Sequence, residues 1–300
     1  MSTIVPTHHA KPHGRLAPVG AESRPRDTAV GPSWPGSSPV GRLGGVAGAL
    51  AALALALFLL LPLVAMAGRA VVERGEWDAA TWETLRQAMR LSLVTTAVSL
   101  LLTLLAGTPL AWAIGRRTFR GASAADALID LPIVLPPAVA GIALLMAFGR
   151  YGLLGQYLNL FGVTIGFTTA AVVLAQLFVS APFYVRAATA AFARIHREVE
   201  ESAADLGAPP GTVLRTITLP MALPGLLAGA TLAWARALGE FGATIMFAGN
   251  FPGVTQTMPL AIYGAFGAGN LATALLLSTI LLLVSGLVLV AVRWIAQHDW

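Results

Sequence analysis

An all-α integral membrane protein with six transmembrane helices is the fold class that this sequence predicts, on three observations. Hydrophobic residues make up 56% of the chain and charged residues 11%, with a mean hydropathy of +0.75. A soluble domain has the opposite balance, with about a quarter of its residues charged. Six apolar stretches reach the length at which a helix, rising about 1.5 Å per residue, crosses a hydrocarbon core of about 30 Å. Lys and Arg, finally, are shared unequally between alternate connections.

Residues 1–42 combine His8, His9, Lys11, His13, Arg15, Arg24 and Arg26 with repeated Pro, Gly and Ser, a composition too polar for a core, and predict a disordered tail. The three histidines have no carboxylate or thiol support, so solvation rather than metal binding is the expected state. Residues 43–300 form the transmembrane domain. The first span, Leu43 to Gly68, contains no charged residue. Ala65-Met66-Ala67 resembles a signal-peptide cleavage site, but the apolar run is too long and its leader too extended, which favours an uncleaved span.

After a polar connection with Trp77 and Trp82 suited to a membrane interface, Leu91 to Gly115 makes the second span, closed by Arg116, Arg117 and Arg120. The third begins near Leu131-Pro132-Ile133-Val134-Leu135-Pro136-Pro137 and ends at Gly149; its prolines free backbone groups and predict a kinked or late-starting helix. Tyr151 to Phe167 reads as a short outer connection, Thr168 to Val185 as the fourth span with Arg186 marking its end, Met221 to Ala248 as the fifth, and Leu271 to Val292 as the sixth, closing at Arg293. Between the last two lies an uncharged, turn-rich loop.

The tail, the Arg116–Arg120 connection, the segment around Arg186, Arg194, Arg197 and Arg215, and Arg293 together hold thirteen basic residues; the opposite side holds five, Arg69, Arg74, Arg86, Arg90 and Arg150. The positive-inside rule therefore predicts that both termini and the polar insert before the fifth span are cytoplasmic. The same topogenic arginines account for the formal net charge of +5, so no nucleic-acid partner is implied, while membrane lipid is. The chain has no cysteine, which excludes disulfides, thiol catalysis and Cys-based metal sites.

The insert, residues 194–220, has its own pattern. Ile195, Val199, Ser202 or Ala203, and Leu206 recur at helical spacing opposite Arg197, Glu198, Glu201 and Asp205, predicting a short amphipathic helix. Gly207 suits a left-handed cap, Pro209-Pro210 stops the helix, and Val213, Leu214 and Ile217 start a second helical stripe that reaches Leu219-Pro220. A connector resting on lipid headgroups is the bland reading of such a segment.

Glu201-Ser202-Ala203, then three residues, Gly207, nine residues, Ile217, one residue and Leu219-Pro220 resemble the EAA signature of the membrane subunits of ATP-binding-cassette importers, with Ser202 in place of its first alanine. The resemblance implies a type I importer permease fold and makes this loop the coupling helix that docks on a cytoplasmic ATPase. It assigns ATPase coupling to Glu200, Glu201, Ala203, Gly207, Ile217, Leu219 and Pro220. The Leu131–Pro137 run, Arg236-Ala237-Leu238-Gly239-Glu240-Phe241-Gly242-Ala243, Gly249-Asn250 and Thr255–Tyr263 further look like the molybdate permease branch. Sulfate, thiosulfate and tungstate permeases are the near alternatives.

Arg236 and Glu240 are the ionisable residues of the fifth span. Charge inside a membrane is expensive and usually faces the bundle interior or water, so the pair is either a neutralising intrahelical ion pair or part of an oxyanion path, with Arg236 beside the anion and Glu240 as its counter-charge. No Gly-x-x-x-x-Gly-Lys-Ser/Thr loop occurs, so ATP-Mg is expected on a partner and no cofactor or metal on this chain. The resemblance implies a non-enzymatic transport subunit of the bacterial cytoplasmic membrane. A second copy of the chain, two ATPase subunits and an extracytoplasmic oxyanion-binding protein would complete it. A channel or ion-coupled secondary transporter would call for an ion-filter segment or matched broken helices in an internal repeat, and neither is evident.

Overall fold

The computed structural model describes residues 39–73 and 77–298, so the tail assigned to 1–42 falls almost wholly outside the described residues. The chain divides into two compact units, Met1–Leu59 and Leu60–Trp300. Within the first, the described residues are helical and belong to α1 (Pro39–Val72), which starts four residues before the expected boundary. Its Leu50, Leu53, Leu57 and Phe58 are all exposed, as befits a helix apolar on every side that faces lipid rather than a core.

The second unit carries α2 (Ala79–Gly115), α3 (Ala122–Val134), α4 (Pro137–Phe148), α5 (Gly155–Leu160), α6 (Thr169–Ala193), α7 (Arg197–Asp205), α8 (Pro210–Val213), α9 (Leu219–Leu238), α10 (Gly242–Ala248), α11 (Met258–Gly267) and α12 (Leu271–His298). No strand occurs among the described residues. Asp78 caps α2 by accepting hydrogen bonds from the Thr81 backbone N–H and hydroxyl, both at 2.7 Å, and Asn270 caps α12 through the Thr273 N–H at 2.9 Å. Five helical segments are long and apolar enough to span a membrane, and the α3–α4 pair makes a sixth if taken as one broken span.

α6 is the central post, packed along α2 on one side and α9 on the other. Small residues make this possible. A Cβ on Gly229 would lie 2.8 Å from the Ala187 Cβ, and one on Gly107 would lie 3.0 Å from the Tyr184 ring. Such close backbone approach is how membrane helices gain packing where lipid supplies no hydrophobic drive. Tyr184 is fully buried and its hydroxyl meets Thr108 Oγ1 at 2.6 Å, so the one polar atom on a large apolar ring is satisfied.

Three expectations change in detail. The third span is two helices meeting at 115°, because Leu135 and Pro136 are extended (ψ 133° and 135°) and Pro136-Pro137 cannot donate the bonds that would continue α3. The fourth does not end at Arg186 but runs two turns further, to Ala193. Arg186 pairs there with Asp130 and Asp126 of α3, which lets a charge stay within the helix. The loop before the last span contains α11, whose first turn is anchored when Met258 N–H donates to Ser92 Oγ at 2.7 Å.

Candidate functional site

Residues 194–220 fold as a short helix, a turn and the start of the fifth span. α7 begins after His196 and ends at Leu206, where the Gly207 N–H returns to the Ala204 carbonyl at 2.8 Å and the Ala208 N–H to Ala203 at 3.1 Å. Gly207 has φ +86°, the left-handed cap that its position in the sequence predicts. Pro210 sits in the first turn of α8. The expected second helix is not a separate element, because α8 continues through a π-type turn, Leu214–Thr218, into α9. Pro220 and Pro224 lack the N–H groups of a regular ladder, and a π-turn next to them is the local adjustment that keeps one rod continuous.

α7 is the short amphipathic helix that the sequence predicts, with narrower bounds than its apolar stripe. Ile195 is buried, but it precedes the helix; Leu206 is 90% and Val199 40% exposed, and α7 has no buried residue. Its apolar side therefore does not lie on this chain's own core. Glu201 points outward beside these residues, while Ala203 is half-buried under the helix. Glu200 turns the other way: its Oε1 accepts from Arg116 Nη2 and from Thr218 Oγ1, both at 2.6 Å. Ile217 and Leu219 are half-buried and Pro220 is exposed at the start of α9. A cleft of about 490 Å³ opens beside α7, walled by Trp112, Arg116, Arg197, Glu200, Glu201 and Leu214.

Arg236 and Glu240 lie at the other end of α9. They do form an ion pair, Nη1 to Oε2 at 2.6 Å, with Arg236 29% exposed and Glu240 1%. They are not on one helix, however: α9 stops at Leu238, Gly239 caps it, and Glu240 stands in the break before α10. Its Oε1 accepts the Ala243 N–H at 2.8 Å, placing a carboxylate at the start of α10, where free N–H groups favour negative charge. The fifth span is thus interrupted where its charges sit, and the half-exposed guanidinium is the member of the pair that solvent or a solute can reach.

A set of polar residues that sequence reading missed lines one face of α2. Ser92, Thr95, Thr96, Ser99 and Thr103 are all buried and spaced by three and four residues. Gln176 of α6 donates to Thr96 Oγ1 at 3.3 Å, and Thr95 and Thr103 bond back to Leu91 and Ser99 carbonyls. The helical period of these hydroxyls was the available signal. Arg116 and Thr218 carried no comparable signal, because their partner is distant in sequence.

The geometry described so far is that of a helical membrane unit with an outward-facing polar loop. Residues 107–298 match the family model of the binding-protein-dependent transport system inner membrane component. The chain belongs to this family. It is therefore a multi-pass inner membrane transport component and not an enzyme. Among the family's proteins, the chain is 46% identical over 243 residues to a molybdenum transport system permease protein of Mycobacterium tuberculosis, an alignment covering 81% of this chain and 91% of that one. It is 41% identical over 220 residues to the Escherichia coli K12 protein of the same description, covering 70% and 93%. A probable sulfate transport system permease protein of Nephroselmis olivacea is 33% identical over 220 residues, covering 73% and 78%. Among solved structures, an alginate importer gives a TM-score of 0.67 at 16% identity, covering 87% of this chain and 97% of that one. An inward-facing methionine ABC transporter gives 0.58 at 21%, covering 74% and 98%. Those two likenesses establish the type of fold, that of ABC importer permeases.

Proposed function

We propose that this chain is the permease subunit of an ATP-driven importer for a tetrahedral oxyanion, with molybdate as the substrate. The observation that carries the ATP-driven part is α7: a helix with no buried residue presents Val199, Glu201 and Leu206 outward from one end of the bundle. Left free, that surface wastes apolar area; seated in a groove of a cytoplasmic ATPase, it becomes an anchor ringed by charge. Similarity to the molybdenum transport proteins of Mycobacterium tuberculosis and Escherichia coli supports molybdate over sulfate, for which the relative is less identical.

In this reading the permease acts as a homodimer with two ATPase subunits that hold ATP-Mg and with an extracytoplasmic binding protein that delivers the anion. Both termini and α7 face the cytoplasm, as the arginine distribution favours. Closure of the ATPase pair draws the coupling helices together and opens the path outward, each ligand shifting the balance only by its differential fit to the two states. Arg236, half-exposed, contributes positive charge to that path, and Glu240 keeps the anion from being trapped. Co-purification tests the proposal: Glu201→Arg is expected to abolish association with the ATPase and uptake of molybdate by proteoliposomes holding the complex. Association and uptake at wild-type levels would refute the docking role.

A further inference from the structure

The insert's apolar anchors, Ile195 and Leu219, lie outside α7 and pack into the bundle core; α7 itself is held by polar contacts. α7 has no buried residue, so no packed core carries a force from it to the spans. What does connect them is a cluster around one carboxylate oxygen. Arg116, the residue that caps α2, is 8% exposed on its side chain and pairs with Glu200 of α7 at 2.6 Å. Its Nη1 donates to the Ile195 carbonyl at 3.0 Å, securing the segment between α6 and α7. Thr218, buried in the π-turn at the head of α9, donates to the same Glu200 Oε1 at 2.6 Å. Arg197, the first residue of α7, closes the ring by donating to the Arg116 carbonyl at 3.0 Å.

We propose that Arg116 is a positioning residue of the coupling apparatus: with Glu200 and Thr218 it clamps α7 to the end of α2 and to the start of α9, so that all three move as one body. Without the clamp α7 hangs from its two connections, and a displacement of the helix dissipates in them. With it, the same displacement enters α2 and α9 together, and α9 is the helix whose far end holds Arg236. A guanidinium suits this place because it stays charged when desolvated and its planar fork serves a carboxylate and a carbonyl at once. Removing one partner leaves a buried charge uncompensated, so the pieces depend on one another. The inference rests on the proposed docking of α7 to an ATPase, and its test separates the two.

The complete complex, with ATPase and binding protein, is reconstituted in proteoliposomes, and anion transported per ATP hydrolysed is measured. Arg116→Met is expected to lower that ratio about tenfold, within the range over which residues on a coupling route act. Arg116→Lys restores part of it, and adding Glu200→Met to Arg116→Met lowers it by no more than about threefold further, since the ion pair is already gone and only the Thr218 bond is left to lose. A ratio unchanged in Arg116→Met overturns the clamp. If that variant does not assemble, Thr218→Val, which keeps the ion pair and removes one donor, is expected to lower the ratio about threefold; no change overturns the clamp equally. A spin label on Leu206→Cys, the one cysteine in a chain that has none, reports on the full-length permease without any ATPase. The clamp requires greater label mobility when Arg116→Met is added, and identical spectra refute it. Absence of ATP-dependent uptake in the wild-type complex would instead overturn the docking reading, leaving the spectra to judge the clamp.

Discussion

Gly141 is a point of close approach between α4 and α10, and Gly141→Ala tests whether that contact holds the broken spans together. A Cβ there would lie 2.6 Å from the Ala243 carbonyl oxygen, 2.7 Å from the Met246 Cβ and 2.9 Å from the Ala243 Cα. Carbon–oxygen contacts settle at about 3.3–3.6 Å, so the helices must part by about 0.7–1 Å. A gap of that size forfeits about a quarter to a half of the dispersion energy of the contacts it opens, and overpacking of this kind costs about 1–3 kcal/mol. The helix-propensity gain of about 0.5–1 kcal/mol for alanine over glycine offsets part of it, leaving a loss of up to about 2.5 kcal/mol. For a chain of this size about 2–4 °C of melting temperature follows each kcal/mol, so the variant should melt up to about 10 °C below the wild type in detergent, followed by tryptophan fluorescence. Gly286→Ala in α12 is the control, because a Cβ there meets nothing within 4 Å; it should melt at or slightly above the wild type. If Gly141→Ala melts no lower than Gly286→Ala, the close α4–α10 contact is not a determinant of stability.

Arg236→Gln removes the half-exposed charge of the interrupted fifth span but strands the buried Glu240, so it is paired with the double variant Arg236→Gln/Glu240→Gln. In a folded complex both should lower oxyanion uptake by about tenfold or more, the scale on which a charged cleft concentrates its solute; uptake at wild-type rates from the double variant would refute a role in the path. The Asp78 carboxyl is held below its ordinary value of 3.8, first by the Thr81 N–H and then by the Thr81 hydroxyl. A depressed pKa means that the cap's contribution is fully present above about pH 3.8 and is lost as the pH falls through the lower folded value. Protection of the Thr81 amide, taken relative to its intrinsic exchange rate at each pH, should accordingly hold at pH 5 and fall only below the ordinary carboxylate range, and Asp78→Ala should remove that step.

Membership of the spans was legible in the sequence because lipid imposes a local rule: a helix must be apolar over its whole crossing length, and that is a property of contiguous residues. The helix-turn that ends at Gly207 was legible for a similar reason, since only a residue without a Cβ takes φ +86° at no cost. The Glu201–Pro220 spacing was equally a matter of reading along the chain. Periodicity placed Leu206 and Val199 on one apolar stripe but could not say what covers it; the structure leaves both exposed on this chain, which supports the proposed docking role of α7.

What the tertiary structure decided were relations between residues far apart in the chain. Proline positions announced a disturbance in the third span but not its size, the 115° between α3 and α4, nor that α4 then lies close against α10 at Gly141. Four-residue spacing predicted that Arg236 and Glu240 meet, and they do, yet the break at Gly239 and the use of the Glu240 carboxylate as the cap of α10 depend on where α9 must stop. Glu200 and Arg116 stand 84 residues apart. A charge cannot announce its partner across that distance; only the packing of α2, α6 and α9 brings the guanidinium beneath α7 and gives the carboxylate something to hold.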